Sequence, residues 1–253
     1  MQINGIALAS VIAEIIGMLI GFIYVHKELE TYKGKWGYKQ ILRISAYKRF
    51  IQINFNLFLR TIALIFTFAF ITAQGARYGG IVLGANAILM NLQNLLAYVL
   101  DGFAHAAEAL VGKAVGKKDT QLFKSAVNIC LKWSVYIAII FALIYALTGK
   151  YMISLMTHHQ IIRDTAIEYL PWMIISPIVS VWSFLYDGVF VGATRSKDMR
   201  NAMLGSLFLV FLPSWYFLQP LGNHGLWLTF TLFMISRGVT MHFLYRKIDL
   251  TRD

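Results

Sequence analysis

Charge is what this sequence has least of. Of 253 residues, 14% are Asp, Glu, Lys or Arg and 58% are hydrophobic, whereas a soluble domain carries about a quarter charged residues. Mean hydropathy is +0.62. That scarcity excludes an ordinary soluble globular domain, and the wealth of apolar surface excludes a disordered chain. Cysteine is nearly missing: Cys130 stands alone, so there is no disulfide framework and no cysteine-based metal site. Catalytic signatures are missing too. There is no P-loop, no HExxH, no GxSxG and no GxGxxG with an acidic partner, and no nucleophile–base pair stands out, which speaks against an enzyme. No low-complexity segment and no long internal repeat can be read. Acids are scarcer than bases, 12 against 23, and the formal charge is +11. Such an excess fits either a nucleic-acid partner or a membrane protein with basic loops, and the placement of the bases decides.

What is present is seven apolar stretches of the length that crosses a bilayer core of about 30 Å. They run Ile3–Val25, Ile51–Thr72, Ile81–Val111, Phe123–Leu147, Ala166–Ala193, Ala202–Leu218 and Gly225–Tyr245. The pattern predicts an all-α polytopic membrane protein with about seven transmembrane helices. Of the 23 basic residues, 17 fall on one side of that alternation and 3 on the other; Arg60, Lys132 and Arg237 lie in or at the ends of spans. The bias puts the basic side in the cytoplasm, with the C-terminus inside. The positive charge is then an orientation signal, and a nucleic-acid partner falls away. Residues 26–50 form the longest connection, with seven bases, Gly34 and Gly37, and the aromatics Tyr32, Trp36 and Tyr38. Its end, Gln40–Phe50, reads as a basic amphipathic helix on the inner leaflet. Seven spans ending inside must begin outside, yet Ile3–Val25 is too long for a signal peptide and lacks a basic n-region. A chain of that kind reads as the rear part of something longer.

Polar residues inside spans are costly and usually face a bundle interior or a cavity. Asn91, Asn94, Tyr98, Asp101, His105 and Glu108 follow spacings of three and four, which keeps them on one face of a helix. That stripe covers about 25 Å at about 1.5 Å per residue. Interhelical hydrogen bonding explains Asn91 or Tyr98 alone; two carboxylates two turns apart point to a cavity lining and to a proton or cation site. The fifth span repeats the theme with Ser176, Ser180, Ser183 and Asp187, and Pro171 and Pro177 interrupt its hydrogen bonds. Gln52, Asn56 and Arg60 recur every four residues in the second span. Arg60 is deep enough to need an interior carboxylate, with Asp101, Glu108 and Asp187 as candidates. Trp172 reads as an anchor at the outer interface. Glu14 is the one acid of the first span, and reads equally as a functional candidate and as a group packed against polar neighbours.

The segments GIALASVIAEIIG (5–17), NFNLFLR (54–60), GANAILMNLQNLLAYVLDGFAHAAEALVGKAVG (84–116), YDGVFVGATRSKDMRNAML (186–204) and LGNHGLWL (221–228) resemble the second half of a multidrug and toxic compound extrusion (MATE) transporter, most closely the DNA-damage-inducible, DinF-type branch. The resemblance implies twelve helices in two six-helix lobes around a central cavity. It implies export of organic, often cationic, compounds in exchange for H⁺ or Na⁺, with no cofactor. On this reading residues 1–25 are the last helix of the N-terminal lobe and 26–50 the cytoplasmic inter-lobe connection. Residues 51–245 are the six-helix C-terminal lobe, and 246–253 a cytoplasmic tail in a multi-pass inner-membrane protein. Five helices of the N-terminal lobe would be needed as a partner, including the helix whose aspartate the family uses for proton coupling.

By position the resemblance carries over Arg60, Asp101, Glu108 and Asp187, with Asn56, Asn94, Tyr98 and His105 beside them as candidates for binding cation or substrate. Two residues depart from the pattern: Asn56 stands where an acid is expected, and His105 where an aromatic is usual. Two other readings stay open. One is a lipid-linked saccharide flippase of the same superfamily, which favours a basic cavity; the other is a non-transporting fragment or assembly partner.

Overall fold

The computed structural model describes residues 2–31 and 44–248. Among them every element is helical, as a bilayer demands: a helix satisfies its own backbone where no water can. Helix α1 (Gln2–Thr31) belongs to one compact unit, and residues from Arg49 onward form a second. The aromatic cluster expected at 32–38 and residues 40–43 of the expected interfacial helix lie outside the described residues. From Ile44 the chain does not form a separate surface helix. It enters α2 (Ile44–Arg77) directly, because no glycine or proline before Gly75 breaks the run.

Four more elements follow: α3 (Gly80–Gly116), α4 (Thr120–Met156), α5 (Gln160–Gly192) and α6 (Ser196–Gly205). A π-helical stretch, Ser206–Phe211, then leads into α7 (Leu212–Leu218). A 3₁₀ turn at Gln219–Leu221 precedes α8 (Gly222–Tyr245). Among the described residues six stretches are long and apolar enough to cross a membrane, and the last, Ser196–Tyr245, is 50 residues long. That last stretch doubles back. Gly222 turns the chain at φ +58, a conformation glycine adopts without steric cost. Gly225 passes so close to the Leu218 carbonyl that a Cβ has no room. Phe211 meets Phe233 and Ser236 Oγ donates to Ser206 Oγ at 3.0 Å, so the two legs are antiparallel and the expected seven spans are accounted for. The helices overrun the apolar stretches read from sequence because polar caps lengthen them. Asp119, for example, accepts from Leu122 N at 2.9 Å and opens α4 at Thr120.

Helices α3, α5 and α8 run parallel through the centre of the second unit. Asn86 meets Asn223, Gln93 meets Ser176, Ser183 meets Met234, and Asp187 meets Arg237. α3 and α5 cross most closely. The Gly188-x-x-x-Gly192 pair presses on the backbone of Ala104 and Glu108, leaving no space for a side chain, the small-residue packing that holds membrane helices together without a hydrophobic driving force. α4 lines its inner face with Ala126, Cys130, Ser134, Ala138 and Ala142 for the same reason. α2 differs: its backbone keeps its distance from the other helices, and side-chain tips fasten it. Phe68 meets Phe230 at a tilt, and Phe70 meets Phe211 and Trp215 edge to face.

A short repeat, carried by GKAVGKKD (112–119) and GVFVGATR (188–195), emerges at two helix ends. After α3, Lys117 N donates to Lys113 O, Lys118 N to Val115 O and Asp119 N to Ala114 O. After α5, Ala193 N donates to Val189 O, Thr194 N to Val191 O and Arg195 N to Phe190 O. Both corners place a non-glycine residue at positive φ: Lys118 at 53 and Thr194 at 55.

Candidate functional site

Asp187, at the tight α3–α5 crossing, receives two arginines. Arg237 Nη2 of α8 donates to its Oδ2 at 2.8 Å, and Arg60 Nη2 of α2 donates to the same oxygen. Side-chain exposure is 12% for Asp187, 20% for Arg60 and 2% for Arg237. Of the three acids proposed from sequence for Arg60, Asp187 is the one it reaches. Asp101 of α3 lies within electrostatic range of Asp187, Arg60, Arg237 and His105. Two guanidiniums and two carboxylates thus gather where α2, α3, α5 and α8 converge. A buried charge this well paired is tolerated, whereas one left alone is not.

Asn56, one turn below Arg60, is buried. Its Nδ2 donates to Ser196 Oγ at 3.2 Å, and its Oδ1 accepts from Arg200 Nη1 at 2.6 Å. Asn56 therefore acts as a polar tie between α2 and α6. A cavity of about 310 Å³ opens beside it, lined by Gln52, Asn56, Thr194, Ser196 and Lys197 among others. Arg195 Nε donates to Asp198 Oδ2 at 2.7 Å on its rim. A second cavity, about 500 Å³ between α5 and α8, is apolar; Trp182 and Phe243 line it, and none of the candidate residues does.

The α3 stripe sits differently from the Asp187 cluster. Leu89, Leu92, Leu96, Leu100 and Ala107 form the buried side of the helix. Asn91, Asn94, Tyr98 and His105 lie on the exposed side, with Asp101 and Glu108 half-buried. Tyr98 is 75% exposed. His105 Nδ1 and Glu108 Oε2 are 3.4 Å apart. The spacing that puts these residues on one face holds, but the second unit does not enclose that face. Among the described residues no group of three or more His, Cys, Asp or Glu is placed to hold a metal.

Several buried polar groups were missed from sequence. Arg237, counted only as a basic residue within a span, is the most buried charge among the described residues. Asn86 and Gln93, two turns apart on the buried face of α3, are others. Asn86 and Asn223 exchange hydrogen bonds at 2.7 and 2.9 Å, and Trp227 Nε1 donates to Asn86 Oδ1 at 3.0 Å. A lone arginine inside an apolar span and a seven-residue Asn–Gln spacing were the available signals. Trp172, read as an interface anchor, donates from Nε1 to His224 Nδ1 at 3.2 Å.

Membrane-spanning helices with charge gathered inside the bundle and a polar face on one side define a multi-pass membrane protein. The chain belongs to the MatE family, whose model matches residues 56–217. It is 38% identical over 255 residues to DNA damage-inducible protein F of Escherichia coli K12, covering 98% of this chain and 54% of that protein. Multidrug resistance protein NorM of Vibrio vulnificus (strain YJ016) is 21% identical over 218 residues, covering 82% of this chain and 48% of that protein. A mutant of the Vibrio cholerae MATE transporter VcmN has the same fold, with a TM-score of 0.82 at 18% identity over 96% of this chain and 57% of that one. Homologues named for a function are multidrug-resistance proteins and MATE transporters, not enzymes. The chain spans about half the length of the curated relatives it matches.

Proposed function

We propose that this chain is the C-terminal part of a cation-coupled antiporter that exports organic, cationic compounds by alternating access, with H⁺ or Na⁺ as the coupling ion. The observation that carries the reading is the two-faced α3: one side is packed against α4 and α5, the other offers Asp101, His105, Glu108, Asn94 and Tyr98 to a space that the second unit leaves open. In an assembled transporter that face lines the central cavity, where carboxylates attract a cation and Tyr98 adds a cation–π surface. Asp187 with Arg60 and Arg237 sits behind the lining. Substrate and coupling ion compete for the acidic face, and each favours one access state. The basic loops face the cytoplasm of an inner-membrane protein, and a front lobe of five more helices completes the cavity.

Ion-driven dye efflux from proteoliposomes tests this. The 253-residue chain together with a co-expressed front half from a relative is expected to transport, and the chain alone to be silent. Asp101→Asn combined with Glu108→Gln is expected to abolish coupled efflux at normal protein level; unchanged export removes the cavity assignment. Silence of both preparations favours a non-transporting assembly partner. Arg237, a second buried base beside Arg60, lends the flippase reading its one specific support. Transport of an anionic lipid-linked saccharide in the same vesicles, without dye efflux, is the result that would establish it.

A further inference from the structure

Inside the second unit runs another polar system, separate from the exposed stripe of α3. Gln93 Oε1 accepts from Ser176 Oγ at 2.5 Å, and Ser176 Oγ lies 3.4 Å from Ser180 Oγ. Ser183 Oγ donates to Ser180 O at 2.8 Å and reaches Met234 Sδ at 3.8 Å. Arg237 Nη1 meets the same sulfur at 3.4 Å, and its Nη2 bonds Asp187. The links are continuous from Gln93 to Asp187, about 16 Å along α5 at about 1.5 Å per residue. Toward the end of the molecule away from the basic loops, the Asn86–Asn223–Trp227 cluster lies two turns of α3 before Gln93.

Gln93, Ser180, Ser183, Thr229, Met234 and Arg237 are all at most 2% exposed. Yet Gln93 Nε2, Thr229 Oγ1, Arg237 Nε, Asp187 Oδ1 and Arg60 Nε have no hydrogen-bond partner among the described residues. Five unsatisfied buried atoms need explaining, because a polar group buried without a partner loses its hydration and gains nothing for it. They comprise guanidinium and amide donors, a hydroxyl and a carboxylate acceptor. A cation satisfies only the acceptors and an anion only the donors. Water satisfies both.

We propose that this seam is an internal water-filled proton path, leading from the end of the molecule away from the basic loops to Asp187 and bypassing the substrate-facing side of α3. It rests on the proposal of coupled transport and names H⁺ as the ion. A water at the end of the seam hands one proton to Asp187 Oδ1, and the proton lost by that water is replaced along the chain of waters and serine hydroxyls from outside. The carboxylate becomes a neutral acid and no other bond changes. A neutral Asp187 no longer holds two guanidiniums. Arg237 from α8 is sealed in, so Arg60 lets go and loosens the middle of α2, whose remaining ties are the side chains of Asn56, Phe68 and Phe70. Asp101 from α3 is the other charge near Asp187, and it keeps an anion beside Arg237 when Arg60 leaves. His242 of α8 is engaged with Tyr186 at 2.6 Å, one residue before Asp187.

Met234 is a built-in reporter. Radiolytic hydroxyl-radical labelling oxidises a buried thioether rapidly only where water lies against it. Met173, Met203 and Met241 are as buried as Met234, which differs from them in meeting Ser183 Oγ and Arg237 Nη1. In the purified 253-residue chain, Met234 is expected to label about tenfold faster than those three. Gln93→Leu, or the milder Ser180→Ala should the first fold poorly, is expected to slow that labelling at least threefold. The same variants, placed in the coupled proteoliposomes, are expected to slow proton-driven efflux with unchanged substrate binding. If Met234 labels as slowly as its three controls, the seam is dry and the inference falls, even beside intact proton-driven transport. Rapid labelling with both variants at wild-type efflux removes the path. If wild type shows no proton-driven efflux at all, the coupling proposal falls and takes the seam's role with it.

Discussion

Asp187 and Glu108 carry the same charge in opposite settings, and the difference is measurable. Asp187→Asn withdraws the counter-charge from two arginines, one wholly buried, and is expected to cost about 3 kcal/mol. Glu108→Gln, with its side chain 41% exposed and only His105 beside it, is expected to stay within about 0.5 kcal/mol. Denaturant unfolding in micelles separates the two. Asn86→Leu strands Asn223 and the Trp227 indole N–H, a loss of about 2 kcal/mol. Adding Asn223→Leu is expected to restore part of it, which a double-mutant cycle reads directly. At this scale the sequence was legible in one respect: a charge placed mid-span must find a partner, so Arg60 could be assigned a carboxylate. Which carboxylate could not be read, because Asp101 and Asp187 sit on different helices brought together only by the Gly188 crossing. The regular spacing along α3 likewise defined a face without saying whether the bundle or something else covers it. Arg237 escaped because most residues at helical spacing from it, Phe230, Phe233, Met234 and Met241, are apolar.

Helices were the most legible elements, since apolar runs of bilayer length leave the backbone no alternative. Their ends were less so: caps such as Asp119 and corners such as Thr194 lie beyond the apolar residues that betray a span. The π-helical stretch at Ser206–Phe211, just before Pro213, left no mark in hydropathy at all. The close crossing of α3 and α5 makes a sharp prediction. Gly188→Ala drives a methyl into the Ala104 carbonyl and is expected to lower the yield of folded protein several-fold. Gly102→Ala, in the same α3 but with open space around it, is expected to raise stability by about 0.5 kcal/mol through helix propensity. Thermal unfolding of the two variants in detergent checks the contrast. α2 belongs to the other extreme. With its backbone apart from its neighbours, its amides are expected to exchange with deuterium sooner than those of α3 and α5, even though all three are equally helical.

For the whole molecule, the basic residues do more than set solubility. Lys117, Lys118, Arg195, Lys197 and Arg200 gather at one end of the second unit, at the two matched corners and the start of α6. Moving that charge to the opposite loops is expected to invert or scramble the protein in the membrane, an outcome that labelling of a C-terminal tag from either side would reveal. Those two corners have one more consequence. Lys118 and Thr194 occupy the same left-handed bend after equivalent helix ends, and glycine at either position is expected to add about 1 kcal/mol. The molecule thereby carries a replicate of itself. When one substitution is made at both bends, the geometry of the bend cancels from the comparison. Any difference that survives measures the surroundings alone: bare solvent at one bend, the polar floor beside Asn56 at the other.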